Sequence, residues 1–359
     1  MIDKKEPVNL DDPEVYRRFD PFAMLLHLHL FPDLCEKAWQ SALGFKLPED
    51  YHHVNKILIL GMGGSAIGGD LVASLAVNEA TVPVMVGRDY YVPQYVDEDT
   101  LVIASSYSGM TEETLSAFEQ TFETPAKKLA ITTGGKLQSL CDTLETPVFT
   151  FDYAAQPRAA LPFSLFILLA ILHNLGFVKD APQALPEVLS LLARISAEIN
   201  ETVPLNINPA KSLARKLYGR LPVIYGGGIT TEVAHRWKTQ INENSKTTAF
   251  YEVFSELNHN AVVGYTFPAA VLPQMLVIML DSDLLHERLR LRYSITRELL
   301  AGAGIDCEMI KGEGTSALGQ MMSLIYLGDY VSYYLALLNE TDPTTIKEID
   351  FLKGRLAQS

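Results

Sequence analysis

Short apolar runs that end in glycine or serine, each followed by a helical stretch, set the pattern of this chain. Lys56–Leu60 reads KILIL, and three of the next four residues are glycine. A brief aliphatic run closed in this way predicts a buried parallel strand. A helix is expected over residues 66–76, then strands over 83–86, 101–104 and 128–132, with helical segments between them. Strand and helix alternating in this rhythm predict a doubly wound parallel sheet. The pattern recurs: residues 221–225 (LPVIY) run into Gly226-Gly227-Gly228, a helix is expected from about Thr230, a strand over 276–280 and a helix over 284–292. ILILGMGGSAIGGDLVA parallels VIYGGGITTEVAHRWK, and LVIASSYSGMTEETL parallels LVIMLDSDLLHERLR. We read two copies of one three-layer α/β/α domain, a tandem duplication. The first takes residues 1–180 with leading helices, a helical linker takes 181–205, and the second takes 206–359. Two N-terminal helices, 22–31 and 34–43, are expected to be divided by Pro32, because proline ends or kinks a helix.

Composition narrows the class. The chain has 359 residues, 48% hydrophobic and 20% charged, enough to bury a core without disulfides or a structural metal. The formal net charge is −14, which argues against a general nucleic-acid binder but leaves room for a small anion held by local donors. Residues 161–178 (LPFSLFILLAILHNLGFV) are the stretch a membrane scan would flag, yet the unbroken apolar run covers only 165–172, far short of the ~20 residues a span needs. A buried helix is expected there, and no membrane association. Cys35, Cys141 and Cys307 are far apart, with no zinc spacing, and the N-terminus lacks an apolar export signal. A reducing, cytoplasmic setting is expected.

Two segments of the first copy could bind an anion. Gly61-Met62-Gly63-Gly64-Ser65-Ala66 joins a strand to a helix, where free N–H groups and the helix dipole favour negative charge. It also fits the loose dinucleotide pattern, with Arg88-Asp89 near the end of the second strand, so an NAD(P)-dependent dehydrogenase is one reading. A glycine turn that only packs helix on sheet is another. Ser105-Ser106-Tyr107-Ser108-Gly109-Met110-Thr111 gathers hydroxyls at a helix N-terminus, which suits a phosphate monoester. An ordinary capped turn would look similar. Both loops lie beyond the carboxyl ends of strands, where ligands bind in such sheets. The matching place in the second copy is Asp281-Ser282-Asp283, whose carboxylates would repel phosphate.

The second copy offers Asn242-Glu243-Asn244-Ser245-Lys246 and Glu256-Leu257-Asn258-His259-Asn260. A carboxylate and an imidazole are the pair that opens a sugar ring and carries a proton between adjacent carbons. A solvated helix-end glutamate and a turn histidine are the plain alternatives. His27 and His29, and His52 and His53, recur with no carboxylate at ligand spacing, so no metal is expected. His235 and Trp237 are expected to pack, and the acidic DDPE near the N-terminus to be a solvated cap.

The serine loop, GMGGSAIGG, NENSK and ELNHN, in this order, together with Gln156-Pro157-Arg158 and a C-terminal DP…I…LK segment, resemble the bifunctional phosphoglucose/phosphomannose isomerase family over nearly the whole chain. Its members are built from two SIS (sugar isomerase) domains. The resemblance implies that Gly64, Ser65, Ser106, Ser108 and Thr111 bind the substrate phosphate. It implies Glu243 as the base that shuttles a proton between C1 and C2 through a cis-enediol, and Arg158 as the group that offsets its negative charge. His259 would assist ring opening from a second subunit, and Lys353 matches the family's C-terminal lysine, which also assists ring opening. The family usually has Asn where Met110 stands, so one hydrogen bond near the loop is expected to be absent. Thr344 and Thr345 lie in the region the family links to epimer choice.

The expectation is an aldose–ketose isomerase of hexose 6-phosphates, homodimeric with shared sites, using no metal or organic cofactor. The rivals are the dehydrogenase above and a non-catalytic phosphosugar-binding regulator, which the lack of a basic recognition helix disfavours. An amidotransferase would need an N-terminal nucleophilic cysteine, and Cys35 is internal.

Overall fold

The computed structural model describes residues 6–356 and 358. Helix α1, Pro13–Phe19, starts where the Asp12 carboxylate accepts the Glu14 N–H, with proline at the first helical position. Helix α2, Met24–Leu43, starts on Asp20, whose two carboxylate oxygens accept the Met24 and Leu25 N–H groups at 2.7 and 2.9 Å. Here the expectation fails: Pro32 lies inside one continuous helix and does not divide two. A proline leaves the carbonyl four residues back without its helical donor. That carbonyl, on Leu28, accepts the Tyr326 hydroxyl at 2.8 Å instead.

The first sheet follows. Its strands are β1 (Lys56–Leu60), β2 (Val84–Gly87), β3 (Thr100–Ser106), β4 (Lys127–Thr132) and β5 (Val148–Thr150). Helix α3 (Gly63–Ala76) links β1 to β2, α4 (Glu112–Gln120) links β3 to β4, and α5 (Gly135–Thr143) links β4 to β5. All pairings are parallel, in the order β2-β1-β3-β4-β5, with Leu60 level with Ala104 and Ser106 with Thr132. Leu58, Val102, Ala104, Ala130, Phe118 and Leu137 form a fully buried core on one face. Strand β3 is buried on both faces along its length, which is why it reads as a continuous apolar run. Helix α6 (Leu161–Asn174) is buried from Leu161 to Leu172, as the sequence predicts for this run.

Helix α7 (Ala181–Ile199) and α8 (Pro209–Leu217) lead to the second sheet. Its strands are β6 (Leu221–Gly227), β7 (Phe250–Phe254), β8 (Met275–Asp281) and β9 (Asp306–Lys311), with α9 (Thr231–Ser245) after β6 and α10 (Glu287–Gly302) after β8. The order β7-β6-β8-β9 is again parallel throughout. It repeats β2-β1-β3-β4 strand for strand, the topological signature of the duplication. Helices α11 (Ala317–Leu338) and α12 (Lys347–Leu356) complete the chain. The most apolar 18-residue window of α11 is 94% buried, although the helix's length and composition would suit a membrane span. The buried face of α9 docks on α11: Arg236 pairs with Asp329 at 2.7 Å, Gln240 donates to the same carboxylate at 2.9 Å, and Asn244 donates to Ser332 at 3.0 Å.

The chain forms two compact units, and their borders differ from the sequence reading. One comprises Leu30–Ser190 with Gly314–Gly319 and holds the first sheet. The other holds the second sheet and takes in the segment before Leu30, so α1 belongs with the second sheet and not, as expected, with the first. The DDPE segment is also more than a solvated cap. Asp11 pairs at 3.0 Å with Lys211, a side chain with 0% exposure that also donates to the carbonyls of Leu10 and Glu201.

Candidate active site

In the first-sheet unit the serine loop leaves the carboxyl end of β3 and enters α4. Thr111 is the residue before α4, but its hydroxyl does not cap the helix; it bonds Ser106 Oγ at 2.9 Å. The first backbone N–H groups of α4 therefore keep no side-chain cap. Ser65 Oγ accepts the Tyr107 N–H at 3.1 Å, and Ser108 Oγ accepts the Met110 N–H at 3.2 Å. Each of these hydroxyls has its hydrogen left to donate, as has one of the Ser106–Thr111 pair. Uncapped amides at the start of α4, with hydroxyl donors from its loop and from α3 beside them, make a cradle of the kind that can hold a multiply charged oxyanion.

The loop is braced from β4. Gly109 has φ +61°, and a Cβ there would lie 1.8 Å from the Gly134 carbonyl oxygen, so only glycine fits. Thr133 donates through N and Oγ1 to the Tyr107 carbonyl at 3.0 and 2.7 Å, and Leu137 N donates to the Gly109 carbonyl at 3.0 Å. Against the expectation, Met110 is not without a hydrogen bond: its Sδ lies 3.4 Å from the Lys136 nitrogen and accepts its N–H.

Arg158 lies in the same unit, in the 3-10 turn Pro157–Ala160 that leads into α6, and is only 3% exposed. Gly64 has a clear reason to be glycine. A Cβ on it would lie 2.7 Å from the Pro157 carbonyl oxygen and 3.2 Å from the Arg158 nitrogen. The start of α3 and the backbone that carries Arg158 are in direct contact. Ser164 Oγ, donating to the Gly64 carbonyl at 3.1 Å, ties α6 to the same point.

The second-sheet unit holds Glu243, His259 and Lys353. Glu243 is half-buried near the end of α9, where each neighbour in the NENSK segment has a structural partner. Asn242 donates to the Thr247 carbonyl at 2.8 Å, Ser245 to the Ile241 carbonyl at 2.6 Å, and Lys246 caps the helix in a left-handed conformation with its ammonium on the Glu243 and Asn244 carbonyls. His259 is exposed, while Asn258 on one side bonds Thr296 of α10 at 2.8 Å and Asn260 on the other bonds Glu256 at 2.7 Å. Lys353 lies on α12, whose residues 351–356 are exposed. Trp237 is buried and donates to the Leu324 carbonyl at 2.8 Å, and His235 stacks on Tyr251 at 4.7 Å.

The loop after β8 differs from its counterpart after β3. Ser282 donates to Gln320 Oε1 at 2.5 Å, the Asp283 N–H points to the same oxygen at 3.2 Å, and Thr230, which corresponds to Ser65, bonds the Gly227 N–H and the Leu280 carbonyl. A side-chain amide oxygen takes the donors that an anion takes in a cradle. Sequence reasoning gave Gln320 no role, and nothing in its neighbourhood signals one.

Two parallel sheets of matching strand order, with a hydroxyl-lined helix N-terminus in the first, define a protein of tandem SIS domains. Residues 206–356 match the model of the bacterial phospho-glucose isomerase C-terminal SIS domain. The C-terminal domain of glucosamine-fructose-6-phosphate aminotransferase from Francisella tularensis shares the fold, with TM-score 0.68 at 16% identity over 90% of this chain and 98% of that one. The bifunctional phosphoglucose/phosphomannose isomerase of Caldicellulosiruptor bescii is 43% identical over 93% of this chain and 99% of its own length. That of Aquifex aeolicus is 36% identical over 84% and 90%. This chain belongs to the bifunctional phosphoglucose/phosphomannose isomerase family.

Proposed function

We propose that this protein interconverts glucose 6-phosphate and mannose 6-phosphate with fructose 6-phosphate. The cradle of Ser65, Ser106, Ser108, Thr111 and the α4 amides takes the phosphate, and Gly64 shapes its floor. With the ring opened by His259 and Lys353, Glu243 takes the C2 proton of the aldose and returns it to C1, while a proton moves from O2 to O1. Both epimers lose their C2 stereocentre in the same cis-enediol, and because their C2 hydrogens lie on opposite faces, one base serves both by a turn of the C1–C2 unit about the C2–C3 bond. Arg158 offsets the charge that develops on the enediol oxygens. The reaction is redox-neutral overall, so proton transfer and charge stabilisation suffice. The observation that carries this reading is the uncapped, hydroxyl-lined start of α4 in a chain of this family. The dehydrogenase reading has less support, because the sheet order β2-β1-β3-β4-β5 is the flavodoxin-like order, not the dinucleotide-binding one.

A homodimer is part of the proposal. Leu291, Ile295 and Leu299 make an exposed apolar stripe along α10, and Val263 and Phe267 nearby in sequence to His259 are each 79% exposed. Asn258 ties the His259 turn to α10. A second copy on this face would cover the stripe and bring His259 to the partner. We also propose a reducing compartment, which the thiol state of Cys35, Cys141 and Cys307 supports.

The test is turnover of purified protein with each aldose phosphate offered separately, with fructose 6-phosphate measured by NMR. Ketose from both is expected. Ketose from neither overturns the isomerase reading, and oxidation coupled to added NAD(P) would install the dehydrogenase in its place.

A further inference from the structure

Tyr107 lies among the cradle hydroxyls, but its side chain leaves them. Its N–H bonds Ser65 and its carbonyl is held by Thr133. Its phenol donates to the Tyr153 carbonyl and accepts the Ala155 N–H at 2.9 Å. Ala155 is three residues before Arg158. The segment so clasped is also packed by its rings: Phe151 stacks on Phe163 at 4.8 Å and 8°, the Tyr153 ring lies 5.0 Å from the same phenyl, and the Tyr107 ring lies 6.1 Å from Phe151. Tyr107 and Pro157 line one cavity with Ser65, Ser105 and Ser164. Burial, with the Tyr107 phenol nearby, pushes the Tyr153 phenol up to about 12, so it adds no charge there.

We propose that Tyr107 is a positioning residue that couples phosphate occupancy of the cradle to the placement of Arg158. Residues 106–111 lose freedom when they take an anion, and the phenol passes that restraint to 153–155 and on to the turn that carries the guanidinium. A buried arginine stabilises a developing charge only if it is already in place, and misplacement by about 1 Å can cost ~10²-fold in rate. The inference deepens the isomerase reading and rests on it for the kinetic arm alone.

The test compares wild type with Tyr107→Phe, which keeps the ring and removes both phenolic hydrogen bonds. Hydrogen exchange is followed with and without inorganic phosphate. In wild type, phosphate is expected to slow exchange in 106–111 and in 153–160, the Ala155 amide included; in Tyr107→Phe it should slow only 106–111. In kinetics the variant should lose ~10–10²-fold in kcat with the inhibition constant of inorganic phosphate held within about twofold. A 5-phospho-aldonohydroxamate, which mimics the enediolate, should bind more weakly by a similar factor. Thr133→Val removes a hydrogen bond to the Tyr107 carbonyl and leaves the phenol alone. Loss of coupling in both variants would reduce Tyr107 to a structural role. Equal protection of 153–160 in wild type and Tyr107→Phe, or no protection of it in wild type, overturns the proposal. The wild-type exchange result stands even if the variant fails to fold. If wild type binds phosphate and protects 153–160 but turns over no sugar phosphate, the isomerase reading falls and the coupling stands.

Discussion

Tyr326 donates its phenolic hydrogen to the backbone carbonyl of Leu28 across 2.8 Å, and both groups are buried. That carbonyl is the one Pro32 deprives of a helical partner. A buried acceptor left unmade costs ~1–3 kcal/mol, so Tyr326→Phe should lower stability by about that amount in chemical denaturation. In a Pro32→Ala background residue 32 regains an N–H for Leu28, and the same substitution should cost measurably less. Equal losses in the two backgrounds would show that the phenol does not replace the missing helical bond.

Gly64 against the Pro157 carbonyl gives a second expectation. A Cβ at 2.7 Å must push the 3-10 turn away. Overpacking of this kind costs typically 1–3 kcal/mol, so Gly64→Ala should lose stability on that scale and lose kcat as Arg158 moves. Gly44, with nothing within 4 Å of a built Cβ, is the control, and Gly44→Ala should leave both unchanged. Denaturation curves and steady-state rates of the two variants decide it.

Stability toward acid should depend on Glu187. Its carboxylate accepts from Thr315 N, from Thr315 Oγ1 at 2.9 Å and from Ser316 N at 3.1 Å, just ahead of α11. Hydrogen bonds from Ser316, and then from Thr315, hold its pKa down to about 2 against an ordinary 4.5. A depressed carboxyl pKa contributes stability that is present above the unfolded value and is lost as pH falls through the folded one. Wild type should therefore lose stability between about pH 4.5 and 2 more steeply than Glu187→Gln, read from denaturation midpoints across that range.

Much of the sheet architecture is legible in the sequence because parallel strands buried on both faces are short aliphatic runs: β1 falls on the expected residues, and β3, β4, β6 and β8 differ only at their ends. Strands β5, β7 and β9 escape that reading. Phe250 is exposed, and β9 has no fully buried residue, so edge strands lack the continuous run. Helix α11 is buried nearly all round, its few polar residues included, so no solvent-facing side gives it a period, and its length is not announced by any cap in the sequence. The cradle hydroxyls are legible as residue types at a strand end. Tyr107 as a clasp and Gln320 as an occupant of the second loop are not, since each depends on partners 38 to 48 residues away in sequence.

If His259 serves the neighbouring subunit, an active site combines Glu243 of one chain with His259 of the other. Glu243→Gln keeps the shape of the side chain and removes the proton acceptor, so it should lose ~10²–10⁴-fold in turnover. His259→Ala should be impaired at ring opening, a defect that eases when the substrate is supplied more rapidly in its open-chain form. Mixing the two variants under conditions that exchange subunits should then restore activity. In a mixed dimer one site carries both defects and the other carries neither, so half of the native activity per heterodimer is the ceiling. Were both residues drawn from one chain, every site would carry one defect and nothing would recover. Sizing of the mixture, with differently tagged chains to verify exchange, makes the outcome decisive: recovery toward the half-activity ceiling supports the shared site. A monomer, or verified heterodimers without recovery, refutes it and leaves the proton-transfer role of Glu243 to be judged on its own variant.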